Sequence, residues 1–350
     1  MSQRCIFFLT LSILAVCILG IVIHYFFFLE TYRNEPIGSR SEYEFNAVLA
    51  RYYPFDAIIT GSSMSQNFKC SEFDKVCGGY SQKLTVPGCA IEKMCFMVEY
   101  ACKYHRVRAV LADLHNQLII GMPPGKQPDD EYYSDNNFWG NLRDGASLKT
   151  LTARRVYYSD KRKKRRRNEH HKVSRDDLYC WGKDHPCGKR WLARDLQAPP
   201  RPKKLVEHPK YAAVNVENFL LPLIRRHPEI KFYFYLPPFS LFAYNEREGY
   251  LVARKVVMDN LTEFPNVELY DFQAASEVVL DLENYKDTTH YSPRINSWIL
   301  EQIKAGKYRV TTGNRHEFDA RFGALLKSFD PVKEKNELIS FVTQKYGSEK

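Results

Sequence analysis

The chain has 350 residues, 44% of them hydrophobic and 26% charged, with a formal net charge of +10. Seven basic residues form one run, Lys161–Arg167, so the positive excess belongs largely to a single loop and not to a basic surface. The nine cysteines and ten histidines include no Cys-x-x-Cys or His-x-x-x-His pair, which argues against a zinc site; neither a metal nor a cofactor is expected.

Arg4 is the only charge before an apolar run from Cys5 to Leu29. At about 1.5 Å per residue this run reaches about 37 Å, enough to cross a ~30 Å hydrocarbon core with some tilt. A cleaved signal peptide is the competing reading, but the run is long for one and no small-x-small site follows it. Residues 1–30 are therefore expected to form one uncleaved membrane anchor. Arg33 and Arg40 are offset by Glu30 and Glu35, so charge asymmetry orients the helix only weakly. One helix ahead of a large C-terminal domain favours a cytoplasmic N-terminus and an extracytoplasmic domain.

The next regular stretch is Ala57–Thr60, a short apolar strand that runs into Gly61-Ser62-Ser63. A continuous apolar run bounded by turn residues predicts a strand buried on both faces of a parallel sheet. Open α/β sheets place ligands at the carboxyl ends of such strands, which makes Ser63 a candidate nucleophile. Taken alone, the triplet also fits an ordinary strand-end turn.

Lys83–Val86 reads as a second strand ending at Pro87-Gly88. Ala90, Ile91, Met94, Cys95, Val98, Ala101 and Cys102 then fall on one helical face. Arg108–Leu114 is the third predicted strand and ends in Asp113-Leu114-His115-Asn116. Residues 122–207 form an insertion too long for a simple connection, so a lid, a subdomain or a partner surface is expected there. Its aromatic residues, including Tyr132, Tyr133, Phe138, Trp139, Tyr179 and Trp181, argue that parts of it are folded. Lys161–Arg167 lies in its middle and is either a solvated loop or a contact for anionic lipid headgroups. A nucleic-acid partner would require a domain on the inner side without an anchor, and none is expected. Cys180 and Cys187 are placed for a small-loop disulfide if the domain is extracytoplasmic.

Helical patterns at about 212–226 and 247–263 alternate with strands at Lys231–Leu236 and Val267–Phe272. Five short strands alternating with helices predict an α/β fold with a doubly wound, flavodoxin-like parallel sheet. Asp287-Thr288-Thr289-His290 then precedes a well-marked helix: Ser292 as N-cap, Pro293 at the first position, Ile295, Ile299 and Ile303 on one face, and Gly306 as the stop. Asp287 and His290 thus share one tight loop, where the carboxylate can orient the imidazole as the base that a serine hydroxyl needs. The tail from 307 contains a further helix through Phe318, Phe322, Leu325 and Leu326.

An early Gly61-x-Ser63 after the first strand and a late Asp287-x-x-His290 together resemble the SGNH (GDSL-like) hydrolase family. The family's first block is usually Gly-Asp-Ser; here Ser62 stands in the middle position and the nucleophile falls on Ser63. The resemblance extends over residues 54–120 and 208–306 and is similar in layout to membrane-anchored members that work in teichoic-acid alanylation and alginate acetylation. It implies a triad of Ser63, His290 and Asp287, and oxyanion donors from Gly88 and Asn116, although the family's Gly-x-Asn-Asp block is absent around Asn116. It further implies an esterase or O-acyltransferase acting on a cell-surface polysaccharide or teichoic-acid-like polymer beside a membrane-bound O-acyltransferase. A catalytically inactive partner of such an acyltransferase is the alternative. On this reading the anchor (1–30) is followed by an SGNH-like domain in two parts, 31–121 and 208–306. The insertion (122–207) separates those parts, and a helical tail (307–350) closes the chain.

Overall fold

The computed structural model describes residues 5, 7–8, 10–16, 18–20, 41–122, 174–199, 207–244 and 248–347. They fall in two units, 1–48 with 129–174 and 49–128 with 175–350. In the first, residues 10–16 and 18–20 are helical, and among the described residues no helix is long and apolar enough to cross a membrane. The C-terminal part of the expected anchor, the Lys161–Arg167 run and most aromatic residues of the insertion lie outside the described residues.

The second unit is built on one six-stranded sheet. Helix α1 (Ser41–Tyr52), which begins in the first unit, leads into β1 (Ala57–Gly61), α2 (Cys70–Cys77), β2 (Ser81–Thr85), α3 (Ile91–Cys102) and β3 (Ala109–Asp113). After α4 (Asn116–Ile120), a 3₁₀ turn at Trp181–Lys183 and α5 (Lys189–Gln197), a long helix α6 runs from Tyr211 to Arg226. It contains a π-helical stretch, Val216–Leu220, just ahead of Pro222, whose missing N–H and bulky ring disrupt α-helical bonding. β4 (Lys231–Leu236), α7 (Glu248–Leu261), β5 (Val267–Asp271), the single turn α8 (Ser276–Val279), α9 (Pro293–Lys304), β6 (Arg309–Val310), α10 (Arg315–Ser328) and α11 (Pro331–Tyr346) complete the order.

The strands lie in the order β2-β1-β3-β4-β5-β6. The first five are parallel and β6 runs antiparallel on β5. β1 and β3 are buried at every position, as apolar strands covered on both faces should be. Because the chain goes from β1 outward to β2 and returns to β3 on the other side, strand order reverses between β1 and β3. Ligands of open α/β sheets bind at the carboxyl ends flanking that reversal.

Two differences from the expected strands have physical causes. β2 begins at Ser81, two residues early, because the Asp74 carboxylate takes both the Ser81 N–H (2.7 Å) and its hydroxyl (2.6 Å). Its charged residue is buried but satisfied: the Lys83 ammonium donates to the carbonyls of Gln66, Asp176 and Leu178. The sixth strand comes from the tail, where Asp271 N–H donates to the Tyr308 carbonyl beside a two-residue ladder. Helix α9 ends as the sequence predicts, with Gly306 at φ +66° and the N–H groups of Gly306 and Lys307 on the carbonyls of Ile303 and Gln302.

Candidate active site

β1 delivers the chain into a tight turn. Gly61 adopts φ +112°, and a Cβ there would lie 2.1 Å from Asp113 Oδ1, so only glycine fits. The buried Asp113 carboxylate, at the end of β3, accepts the Ser62 N–H (2.8 Å), the Ser62 hydroxyl (2.8 Å) and the Ser65 hydroxyl (2.6 Å). Ser62 is thereby turned inward. Ser63 faces the other way, and its Oγ lies 2.9 Å from His290 Nε2. Asn296 on α9 fixes the same turn by donating to the Met64 carbonyl (2.9 Å).

The opposite side of the site is the loop before α9. Asp287 Oδ1 accepts the N–H groups of Thr289 (3.0 Å) and His290 (2.8 Å), which curls the loop back on itself. Its Oδ2 lies 2.8 Å from His290 Nδ1. The Nδ1 proton therefore points at Asp287, and the Nε2 lone pair is left for the Ser63 hydroxyl. Burial pushes the Asp287 carboxyl upward, but the His290 ring bond, its charge and the two backbone N–H groups outweigh it and hold the group well below the usual carboxylate range. Pro293 occupies the first turn of α9 as expected. Ser292 stands at the N-cap without capping it, because its hydroxyl is buried with no hydrogen-bond partner among the described residues.

The described end of the insertion forms a wall of this site. Trp181 Nε1 donates to the Ser63 carbonyl (2.9 Å), and its ring meets His290 edge to face at 5.2 Å. Asn67 Oδ1 accepts the Gly182 N–H (2.9 Å) and holds Cys180 Sγ at 3.5 Å. Cys180 is thus engaged away from Cys187. The two are free thiols, and the small-loop disulfide expected from their spacing is not formed. Burial, reinforced by the charge of Asp287, pushes the Cys187 thiol up to about 11.

The two expected oxyanion donors fare differently. Gly88 lies in an exposed turn at φ +62° with open space around its Cα, and neither its N–H nor that of Ser63 is engaged among the described residues. Asn116 is fully buried. Its Oδ1 accepts from Gln273 Nε2 (3.3 Å), its Nδ2 has no partner among the described residues, and no hydrogen bond joins it to Ser63 or His290. The structure thus assembles Ser63, His290 and Asp287 and leaves Asn116 in the core beyond them.

Three contributors were named in the sequence without a role in the site, although the Asp113–Asn116 segment was expected near the same sheet edge as Ser63 and His290. Asp113 and Trp181 act through the contacts above. His115, between them in the chain, accepts the Leu118 N–H on Nδ1 (2.9 Å), so its proton is on Nε2, 3.9 Å from Asp113 Oδ2. Burial lowers its pKa; Asp113 opposes that shift and the nearby His290 adds to it. Among the described residues, no group of three His, Cys, Asp or Glu side chains is arranged to hold a metal ion.

A serine hydroxyl, an imidazole and a carboxylate in hydrogen-bonded sequence can transfer a proton from the hydroxyl as it attacks a carbonyl. No protein-family model matches the chain, and no curated protein matches it.

Proposed function

We propose that the chain is a membrane-anchored, SGNH-type serine esterase or O-acyltransferase acting on acyl esters of cell-surface polymers or lipid-linked glycans. The observation that carries this reading is the continuous relay from Ser63 Oγ through His290 (2.9 Å) to Asp287 (2.8 Å). Its place beside the strand-order reversal supports the same reading.

In the first half-reaction Ser63 Oγ bonds to the ester carbonyl carbon while its proton passes to His290 Nε2. Asp287 stabilises the resulting imidazolium, and the free N–H groups of Ser63 and Gly88 offer donors to the oxyanion. The C–O bond to the alcohol then breaks and His290 returns the proton to the leaving oxygen. Water or a sugar hydroxyl attacks the acyl-serine in the second half-reaction, giving up its proton to His290; the acyl–Oγ bond then breaks and His290 returns that proton to Ser63 Oγ. The Cys5–Leu29 run would hold this chemistry at a membrane surface, beside a membrane-bound O-acyltransferase.

A serine-directed phosphonate tests the reading. It should label Ser63 in the folded protein, and Ser63→Ala and His290→Ala should abolish labelling. Asp287→Asn should slow it on the order of 10⁴-fold by releasing the imidazole tautomer. Ser62→Ala should leave Ser63 labelled. Folded wild type that takes no label and cleaves no short-chain ester, or label on Ser62, overturns the reading. The burial of Asn116 in a pairing with Gln273 favours the alternative, an inactive SGNH-type partner protein, since losing an oxyanion donor costs about 10²–10³ in rate. The same labelling decides between them.

A further inference from the structure

We infer that Asp113 is the positioning residue of the nucleophile turn, a carboxylate supplied across the sheet from β3 to aim Ser63 at His290. This rests on the reading of Ser63 as nucleophile. The observations behind it concern a charge that the proton relay does not use. Asp113 is fully buried, and its two oxygens receive three donors that all come from one four-residue turn, Ser62 to Ser65. A buried carboxylate needs such donors, and by collecting them it fixes the backbone at Ser62 and the side chains on both flanks of Ser63. Ser62 Oγ passes the constraint on by accepting the Met64 N–H (3.2 Å), and Ser65 Oγ extends it to Tyr235 Oη (3.2 Å). With Ser62 and Ser65 drawn toward β3, the intervening Ser63 side chain is left on the His290 side.

The sequence departure at Ser62 acquires a physical meaning. A middle carboxylate in a Gly-Asp-Ser turn would meet the Asp113 carboxylate directly, two like charges in a buried site. A serine there adds a hydroxyl donor to the backbone N–H that already reaches that carboxylate. The negative charge and the hydroxyl are partners across β1 and β3, and an aspartate in the turn facing a serine at the end of β3 makes that one hydroxyl–carboxylate bond in reverse.

The test compares D113N, S62D, the swap S62D/D113S and S63A, each in the full chain and each shown to be folded by its thermal unfolding. The first readout is the His290 Nε2 nitrogen resonance, which senses the Ser63 hydrogen bond and requires no turnover. In D113N it should move toward its position in S63A while the Nδ1 proton bonded to Asp287 stays in place. In S62D, with two facing carboxylates, it should also move. In the swap it should return toward wild type. The second readout is the rate of phosphonate labelling at Ser63, expected to fall on the order of 10- to 100-fold in D113N and to recover in the swap. An unshifted His290 resonance with wild-type labelling in D113N overturns the inference. A folded swap whose resonance stays at the S63A position also overturns it, and decides the matter if D113N does not fold. Wild type that takes no label removes the esterase reading, yet the His290 resonance still shows whether Asp113 aims Ser63.

Discussion

Trp181 touches the candidate site at two atoms with different jobs, an N–H on the Ser63 carbonyl and a ring edge against His290. Trp181→Phe keeps an aromatic ring and removes the donor. It should cost about 1 kcal/mol in denaturant unfolding and slow ester cleavage several-fold. His115 gives the site a pH signature. Burial disfavours its charged form in the folded protein, with Asp113, His290 and Glu207 as its charged and titratable neighbours. As pH falls through the ordinary histidine range near 6.5, the unfolded chain takes up a proton that the folded chain refuses, so stability declines. Thermal unfolding between pH 7.5 and 5.5 should show a fall in wild type and a shallower one in His115→Gln. Asp287 adds a second decline at lower pH. Its folded pKa is depressed, so its contribution is complete above about 4 and is lost as pH drops further.

At the scale of elements, the β1 turn and the strap formed by residues 175–183 hold the site from two sides. Gly61→Ala forces a positive φ on a residue with a Cβ and drives that Cβ into the Asp113 carboxylate. The backbone strain alone is worth about 1–3 kcal/mol, and the clash displaces the group that orders the turn. Unfolding measurements should show a loss of at least that size, and Ser63 labelling should fall with it. The strap depends on Lys83, whose buried ammonium satisfies three carbonyls, two of them in the strap. Lys83→Met keeps the length of the side chain and leaves those acceptors without their donor, at about 1–3 kcal/mol for each buried group. A loss of several kcal/mol, accompanied by a change in Trp181 fluorescence, is the expected outcome.

Across the second unit, the C-terminal helices are tied to the sheet by charge as well as by apolar contact. Arg254 on α7 is buried, reaching Asp271 at the end of β5 (2.5 Å) and Asp319 on α10. Burial pushes the Asp271 carboxyl upward against the pull of Arg254. Arg254→Met strands that carboxylate, and unfolding should register a loss of about 3–5 kcal/mol. Replacing Arg254 and Asp271 together with apolar residues should recover much of it, because the cost lies in the unpaired charge.

The sequence by itself determined the elements whose signal is local. Ala57–Thr60 and Phe232–Leu236 are legible because strands buried on both faces read as near-continuous apolar and aromatic runs. The Asp287–His290 loop is legible because both members of the pair, and the Pro293 and Gly306 that bound the next helix, lie within twenty residues. β2 was displaced by two residues because its start is fixed by a side-chain contact, Asp74 on Ser81 seven residues on, that leaves no mark in the hydropathy pattern; β6 went unseen because its partner, Asp271, lies far from Tyr308 along the chain. The site contacts are longer still, and the Ser63–His290 pairing was expected from the family resemblance and not from spacing. Asp113 meets Ser62 across 51 residues, Trp181 meets Ser63 across 118, and His290 meets Ser63 across 227. Spacing in the chain carries no record of such distances; strand order does, since β1 and β3 are neighbours and the chain reverses between them. Tertiary structure likewise turned Asn116 toward Gln273 and Cys180 toward Asn67. A residue type limits which bonds a side chain can make, and the packing around it chooses among them.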